Sequence, residues 1–115
     1  MKDITDRTFA FALRVVRLFR FLNKEYSADK NILAKQLVRS GTSIGANVEE
    51  AQSGQSRADF ISKMSIALKE ARETNYWLRL LVASEMIGHA EVEDLLKESE
   101  EIKKILGAII VSSKK

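Results

Sequence analysis

The chain has 115 residues, of which 45% are hydrophobic and 30% charged, and this balance excludes a disordered chain and fits one folded domain. Cysteine is absent, which excludes disulfides, thiolate catalysis and cysteine-based zinc sites. There is no proline and there are only five glycines, a composition that long helices tolerate and loop-rich folds do not.

The net charge of +3 is unevenly distributed along the chain. Residues 1–48 carry nine basic and four acidic side chains, whereas residues 85–115 carry five basic and seven acidic ones. No stretch of about 18 apolar residues is present, so we expect no membrane-spanning segment. The N-terminal segment MKDITDRT lacks the apolar core of a signal peptide. Together with the absence of cysteine, this predicts a cytoplasmic protein.

The first predicted helix spans residues 6–24. Its apolar stripe has helical spacing and consists of Ile4, Phe11, Val15, Leu18 and Leu22, widened by Phe9, Ala12, Val16 and Phe19. The opposite side carries five basic residues, namely Arg7, Arg14, Arg17, Arg20 and Lys24. Leu13 and Phe21 interrupt this basic side, and they predict a second buried surface between subunits of an oligomer.

The second predicted helix spans residues 30–53, with Asp29 as the expected N-cap. Its core stripe is Leu33, Leu37, Ser40, Ile44, Val48 and Ala51. This stripe stays in phase across Gly41 and Gly45, so we predict a continuous helix despite the cost of about 1 kcal/mol for each interior glycine. With Ala34, these glycines form a small-residue edge. Close helix packing is favoured over a phosphate loop, which would need a lysine and a preceding strand.

A polar band lies beside this stripe, formed by Gln36, Ser43, Asn47 and Glu50 with Arg39 adjoining. Serine and asparagine are poor interior helix formers, and partly buried polar groups need partners. The band therefore predicts a network with the third helix, a subunit contact or a small-molecule site. We favour the network or the contact.

The third predicted helix spans residues 57–86, and the fourth spans residues 90–112. Ser56 and Asp59 have capping-box spacing at the start of the third helix, and Gly88 is expected to end it. Four such helices joined by short turns pack as antiparallel neighbours. The sequence thus predicts an all-α, antiparallel up-and-down four-helix bundle, with residues 1–115 as one domain.

Two groups of polar residues on the third helix are candidates for function. Glu70 and Glu73 lie one turn apart, with Trp77 one turn further on, and we favour hydrogen bonding at the core edge over an acid/base couple or a metal site. Lys69, Arg72 and Arg79 lie on the outer side. Together with the basic side of the first helix, they form a candidate nucleic-acid surface, for which the alternative is a solvated face.

Enzyme chemistry finds little support in the sequence. His89 is the only histidine, and a lone histidine at a helix start is typical of a cap or surface residue. A diiron carboxylate bundle needs a Glu-x-x-His pair on each of two helices, which one histidine cannot supply. We therefore expect no enzyme activity, metal, cofactor or small-molecule substrate.

Two segments of the chain resemble the four-helix-bundle proteins encoded in 23S rRNA intervening sequences. They are residues 36–52, QLVRSGTSIGANVEEAQ, and residues 56–81, SRADFISKMSIALKEARETNYWLRLL. This family is related in fold to the accessory variability protein of diversity-generating retroelements. The residues that fit its pattern are Arg39, Ser43, Ile44, Asn47, Glu50, Ala51, Asp59, Phe60, Lys63, Ala67, Lys69, Glu70, Ala71, Glu73, Thr74 and Trp77.

The resemblance implies a bundle that assembles into a ring-like homo-pentamer and binds RNA or DNA through a basic surface. It implies no catalytic residues. The predicted function is therefore that of a non-enzymatic homo-oligomer that binds nucleic acid. The alternative is a protein-interaction or assembly scaffold that binds no nucleic acid.

Overall fold

The computed structural model describes residues 3–115 and confirms the predicted fold class. Its four helices run up and down as neighbours in a bundle that measures 47 × 21 × 21 Å. They are α1 (Ile4–Leu22), α2 (Ala28–Gln52), α3 (Arg57–Ala83) and α4 (His89–Ser113). Within the described chain no helix is long and apolar enough to cross a membrane.

The core follows the predicted stripes, because each helix turns its 3–4-spaced apolar residues toward the bundle axis. Each helix packs against its sequence neighbour, and the α1–α4 edge that closes the bundle is the sparsest of the four. The largest apolar side chains that are fully buried are Phe11, Leu37, Ile44, Met64, Leu78, Leu81, Ile102 and Leu106.

The α1–α2 edge is a close approach of two helices. A Cβ atom on Gly41 would lie 2.8 Å from Cγ1 of Val15, and one on Gly45 would lie 3.2 Å from the backbone oxygen of Thr8. Both glycines lie within continuous helix, as the phase of the stripe predicted. The small-residue edge therefore serves helix packing.

The turn between α1 and α2 differs from the predicted boundaries. The α1 helix ends at Leu22 because the side-chain amide of Asn23 donates to the Phe19 carbonyl at 2.8 Å and caps the last turn. The N-cap of α2 is Ser27 rather than Asp29, which lies in the first turn. The Ser27 hydroxyl donates to the Asp29 carboxylate and holds the pKa of that carboxyl below its ordinary value.

The end of α3 was predicted too late in the chain. The helix ends at Ala83 because Glu85 adopts a left-handed backbone conformation, with φ of 63°. The Glu85 and Met86 amides donate to the Val82 and Leu81 carbonyls, the hydrogen-bond pair of a Schellman motif. Gly88 was expected to end α3, but it is the N-cap of α4.

Candidate functional site

The α2–α3 edge carries an ionic cluster, which we call the α2–α3 polar cluster, formed by Arg39, Glu70, Glu73 and Trp77. The Arg39 guanidinium forms an ion pair with Glu73 and approaches Oε2 of Glu70 at 3.6 Å. The Trp77 indole Nε1 donates to the same Glu73 oxygen at 3.2 Å. The carboxylates project toward α2 because positions 70, 73 and 77 lie on one flank of α3.

Glu70 is the buried member of this cluster. Its exposed fraction is only 9%, and within residues 3–115 its Oε2 accepts no hydrogen bond. At 3.6 Å the contact with Arg39 is an ion pair without the geometry of a hydrogen bond. The cluster is therefore held by the Arg39–Glu73 ion pair and the Trp77 hydrogen bond, and the buried Oε2 of Glu70 has a charged neighbour but no hydrogen-bond donor.

The remaining members of the predicted polar band do not join this cluster. The Ser43 hydroxyl donates to the Arg39 carbonyl at 2.6 Å, and the Asn47 side-chain amide donates to the Ser43 carbonyl at 2.8 Å. Both bonds stay within α2. Glu50 pairs with Lys63 at 3.7 Å, two helical turns from Glu70 on the same edge. The predicted band thus divides into a cross-helix cluster, two bonds local to α2 and a separate ion pair between α2 and α3.

The bundle interior contains two polar contacts that are absent from the predicted site residues. The hydroxyls of Ser40 and Thr74 lie 3.0 Å apart between α2 and α3. The side-chain amide of Asn75 donates to the Ser99 hydroxyl at 2.9 Å between α3 and α4. All four side chains are buried, and each contact fixes the register of a helix pair.

The basic residues of α1 separate into two groups. Arg7 forms a two-point ion pair with Glu98 of α4, at 2.6 Å and 3.0 Å, and this carboxylate raises the pKa of Arg7 above its ordinary value. Arg7 therefore closes the α1–α4 edge and does not belong to the exposed basic surface. Arg14 and Arg17 line a shallow groove with Glu91, while Arg20 is exposed on the outer face.

The apolar residues on the basic side of α1 lie at the surface of the single chain. Leu13 is 43% exposed and Phe21 is 47% exposed, and the Lys24 ammonium lies 5.6 Å from the centre of the Phe21 ring. Phe9 was expected at the edge of the core but is exposed as well. A monomeric bundle thus leaves three large apolar side chains of α1 in water.

The outer face of α3 brings Lys69, Arg72 and Arg79 to one side of the helix, with Tyr76 between them. Tyr76 is 49% exposed and was not among the predicted site residues. Its ring lies 5.9 Å from the Arg79 guanidinium carbon and packs edge-on against Trp77, with the centroids 5.0 Å apart. The spacing of positions 69, 72, 76 and 79 is the signal that identifies this aromatic residue within the basic surface.

The α3–α4 side has a groove of about 450 Å³, lined in part by Arg79, Val82, His89 and Leu96. His89 lies exposed at the first position of α4. In the part of the chain that the structure describes, no three acidic or histidine side chains group in a way that could hold a metal ion.

The fold and these surfaces define an up-and-down four-helix bundle with exposed basic faces. The family model for the 23S rRNA-intervening sequence protein matches residues 2–108 of the chain. The chain therefore belongs to this family. The function of this family is unknown, as is the function of a similar solved structure, and neither indicates an enzyme family.

A solved structure also resembles the chain. It is a protein of unknown function of the S23 ribosomal protein family from Bacteroides thetaiotaomicron, which is 49% identical. The two superpose with a TM-score of 0.88, over 94% of this chain and 98% of that one. Among curated proteins, none matches the chain.

Proposed function

We propose that this protein is a non-enzymatic homo-oligomer that binds RNA or DNA through its basic faces. The observation that carries this proposal is a set of basic side chains whose positive charges are not paired with carboxylates. Seven basic residues form no ion pair with a carboxylate of residues 3–115. They are Arg14, Arg17 and Arg20 of α1, Lys24 in the turn after α1, and Lys69, Arg72 and Arg79 of α3. Such faces attract phosphates and release counterions on binding.

Self-association accounts for the apolar residues that the single bundle leaves exposed. Phe9, Leu13 and Phe21 lie on one helix at 63%, 43% and 47% exposure, and several large apolar side chains exposed on one helix are typical of an interaction surface. A homo-pentamer, which the family resemblance implies, would bury part of this surface. It would also repeat each basic face five times, so weak phosphate contacts would add up through avidity.

Charge reversal on α1 tests the nucleic-acid part of the proposal. With Arg14, Arg17 and Arg20 replaced by glutamate, we expect labelled RNA to lose at least 100-fold in affinity, because attraction to phosphates becomes repulsion. Fluorescence anisotropy across a salt series measures this loss. The matched control replaces Lys104 within α4, and Lys114 and Lys115 at its C-terminal end, by glutamate, which changes the net charge equally. An equal loss of affinity in the control would show that only the total charge of the protein matters. Unchanged affinity in the α1 variant would show that the basic face of α1 is not the binding site.

The oligomer part has a separate test. Replacing Leu13 and Phe21 by aspartate places charge on the exposed apolar surface, and we expect a folded species of smaller native mass. Native mass spectrometry measures the mass and circular dichroism the helix content. A wild-type protein that is already monomeric would overturn this part.

The α2–α3 polar cluster favours a second candidate function, a protein scaffold without nucleic acid. Ile66, which is 39% exposed, lies on the same flank of α3 as Glu73 and Trp77, and this combination of an ionic cluster with exposed apolar surface suits a partner protein. The ratio of absorbance at 260 and 280 nm, before and after a high-salt wash of purified material, distinguishes the two. A ratio typical of protein alone in both samples favours the scaffold.

A further inference from the structure

The outer face of α3 combines charge with an exposed aromatic ring. Lys69 and Arg79 are ten positions apart, which corresponds to about 15 Å along the helix axis. Tyr76 lies between them and presents much of its ring to solvent. About four stacked nucleotides span the same length, at roughly 3.4 Å each. The face therefore matches a short single strand in both length and chemistry.

A chain of hydrogen bonds holds Arg79 in place. Its Nε donates to Oδ1 of Asn75 at 2.9 Å, and the buried Asn75 amide donates in turn to the Ser99 hydroxyl at 2.9 Å. The Ser99 hydroxyl donates to the Leu96 carbonyl at 2.8 Å. These bonds orient the planar guanidinium through Nε alone. The two terminal amino groups have no hydrogen-bond acceptor among residues 3–115 and remain available to a phosphate.

Two carboxylates border this face, Glu73 next to Arg72 in α3 and Glu100 in the groove that Arg79 lines, and both are already engaged. Glu73 accepts from Arg39 and from Trp77, and Glu100 pairs with Lys103 at 3.2 Å. Their negative charges are partly neutralised, so they repel an approaching phosphate less than free carboxylates would. The positive charge of Arg72 and Arg79 consequently dominates around Tyr76.

We propose that this α3 face binds unpaired, single-stranded nucleic acid, with a base stacked on Tyr76 and the flanking phosphates on Arg72 and Arg79. This inference rests on the proposed function and names the ligand class that this face selects. In a duplex, the faces of the bases are covered by their neighbours, so only the phosphate contacts remain. Stacking on an aromatic side chain favours the single strand and tolerates any base sequence.

Replacing Tyr76 by leucine tests the stacking contact, because it keeps an apolar side chain and removes the aromatic ring. We expect about tenfold weaker binding of a 12-nucleotide oligouridine, with binding of a 12-base-pair RNA duplex changed less than twofold. The matched control is Tyr26→Leu, since Tyr26 is 78% exposed in the turn between α1 and α2, away from this face. Anisotropy at one fixed salt concentration compares all three proteins.

A double substitution that leaves the charge of the protein unchanged tests whether the orientation of Arg79 matters for binding. In the double variant Asn75→Leu with Ser99→Ala, Arg79 keeps its charge but loses the groups that hold it. We expect three- to tenfold weaker binding of the single strand, whereas a merely solvated arginine would bind as before. If that variant fails to fold, Arg79→Lys gives the same test by keeping the charge and removing the planar fork.

The outcomes separate this inference from the proposed function. If the wild-type protein binds neither oligouridine nor duplex, the proposed function fails and this inference fails with it. If it binds both equally well and Tyr76→Leu changes nothing, only the inference on the α3 face is overturned. A single-strand preference that disappears in Tyr76→Leu and persists in Tyr26→Leu supports the inference.

Discussion

Helix α1 packs against α2 and against α4 through different kinds of contact. On the α2 side, Gly41 and Gly45 bring the two helices so close that a Cβ on Gly45 would lie 3.2 Å from the backbone oxygen of Thr8. On the α4 side, the packing is sparse and depends on the ion pair between Arg7 and Glu98. The first contact is fixed by backbone sterics and the second by two long side chains. We therefore expect the α1–α2 edge to resist any added volume and the α1–α4 edge to adapt.

The largest effect is expected from adding volume to the α1–α2 edge. Gly45→Val should lower the free energy of unfolding by about 3 kcal/mol, because the Thr8 backbone oxygen cannot move without moving α1. Urea denaturation followed by circular dichroism measures this loss. An unchanged urea midpoint would show that α1 and α2 separate easily. The α1–α2 edge would then be no more rigid than the α1–α4 edge.

A smaller effect is expected from breaking the ion pair of the α1–α4 edge. Arg7→Gln should cost about 1–2 kcal/mol, because the pair is partly buried and joined at two points. Adding Glu98→Gln should cost little more, which a double-mutant cycle measures. The matched control is Lys97→Gln in the exposed pair with Glu93, where we expect at most about 0.5 kcal/mol. Equal losses at both pairs would contradict a special role for Arg7.

The smallest effect has the opposite sign. Gly107 lies within α4, and a Cβ there would meet no heavy atom within 4 Å. Gly107→Ala should therefore stabilise the protein by about 1 kcal/mol through helix propensity alone. A rise in the thermal midpoint checks this. A loss of stability would indicate that Gly107 has a role in an assembly, where a partner subunit would approach it.

The sequence predicted the fold well because periodicity records which residues a helix turns to the core. The stripe through Gly41 and Gly45 predicted both the continuous α2 and its close packing. The end of α3 was missed because it is set by the left-handed conformation of Glu85, a residue type that gives no such signal. Gly88, the residue that sequence rules favour for this role, starts the next helix.

The candidate site was less predictable, because its contacts join residues far apart in the chain. Arg7 was grouped with the exposed basic residues, and only the fold brings Glu98, 91 positions away, to pair with it. In the predicted polar band, the side chains of Ser43 and Asn47 donate hydrogen bonds to backbone carbonyls of α2 itself. Periodicity alone does not reveal these bonds. Tyr76 was missed because an aromatic residue on an outer face adds nothing to a core stripe.

The connectivity of the bundle has a consequence for folding kinetics. Three of its four edges join helices that follow one another in sequence, and such local topologies fold in microseconds to milliseconds. The α1–α4 edge joins the two ends of the chain and is sparse, so we expect it to form after the transition state. Arg7→Gln should then accelerate unfolding and leave the refolding rate nearly unchanged, which stopped-flow measurements across denaturant concentrations test. The Arg7–Glu98 pair would thus control how long the folded bundle lasts rather than how quickly it forms.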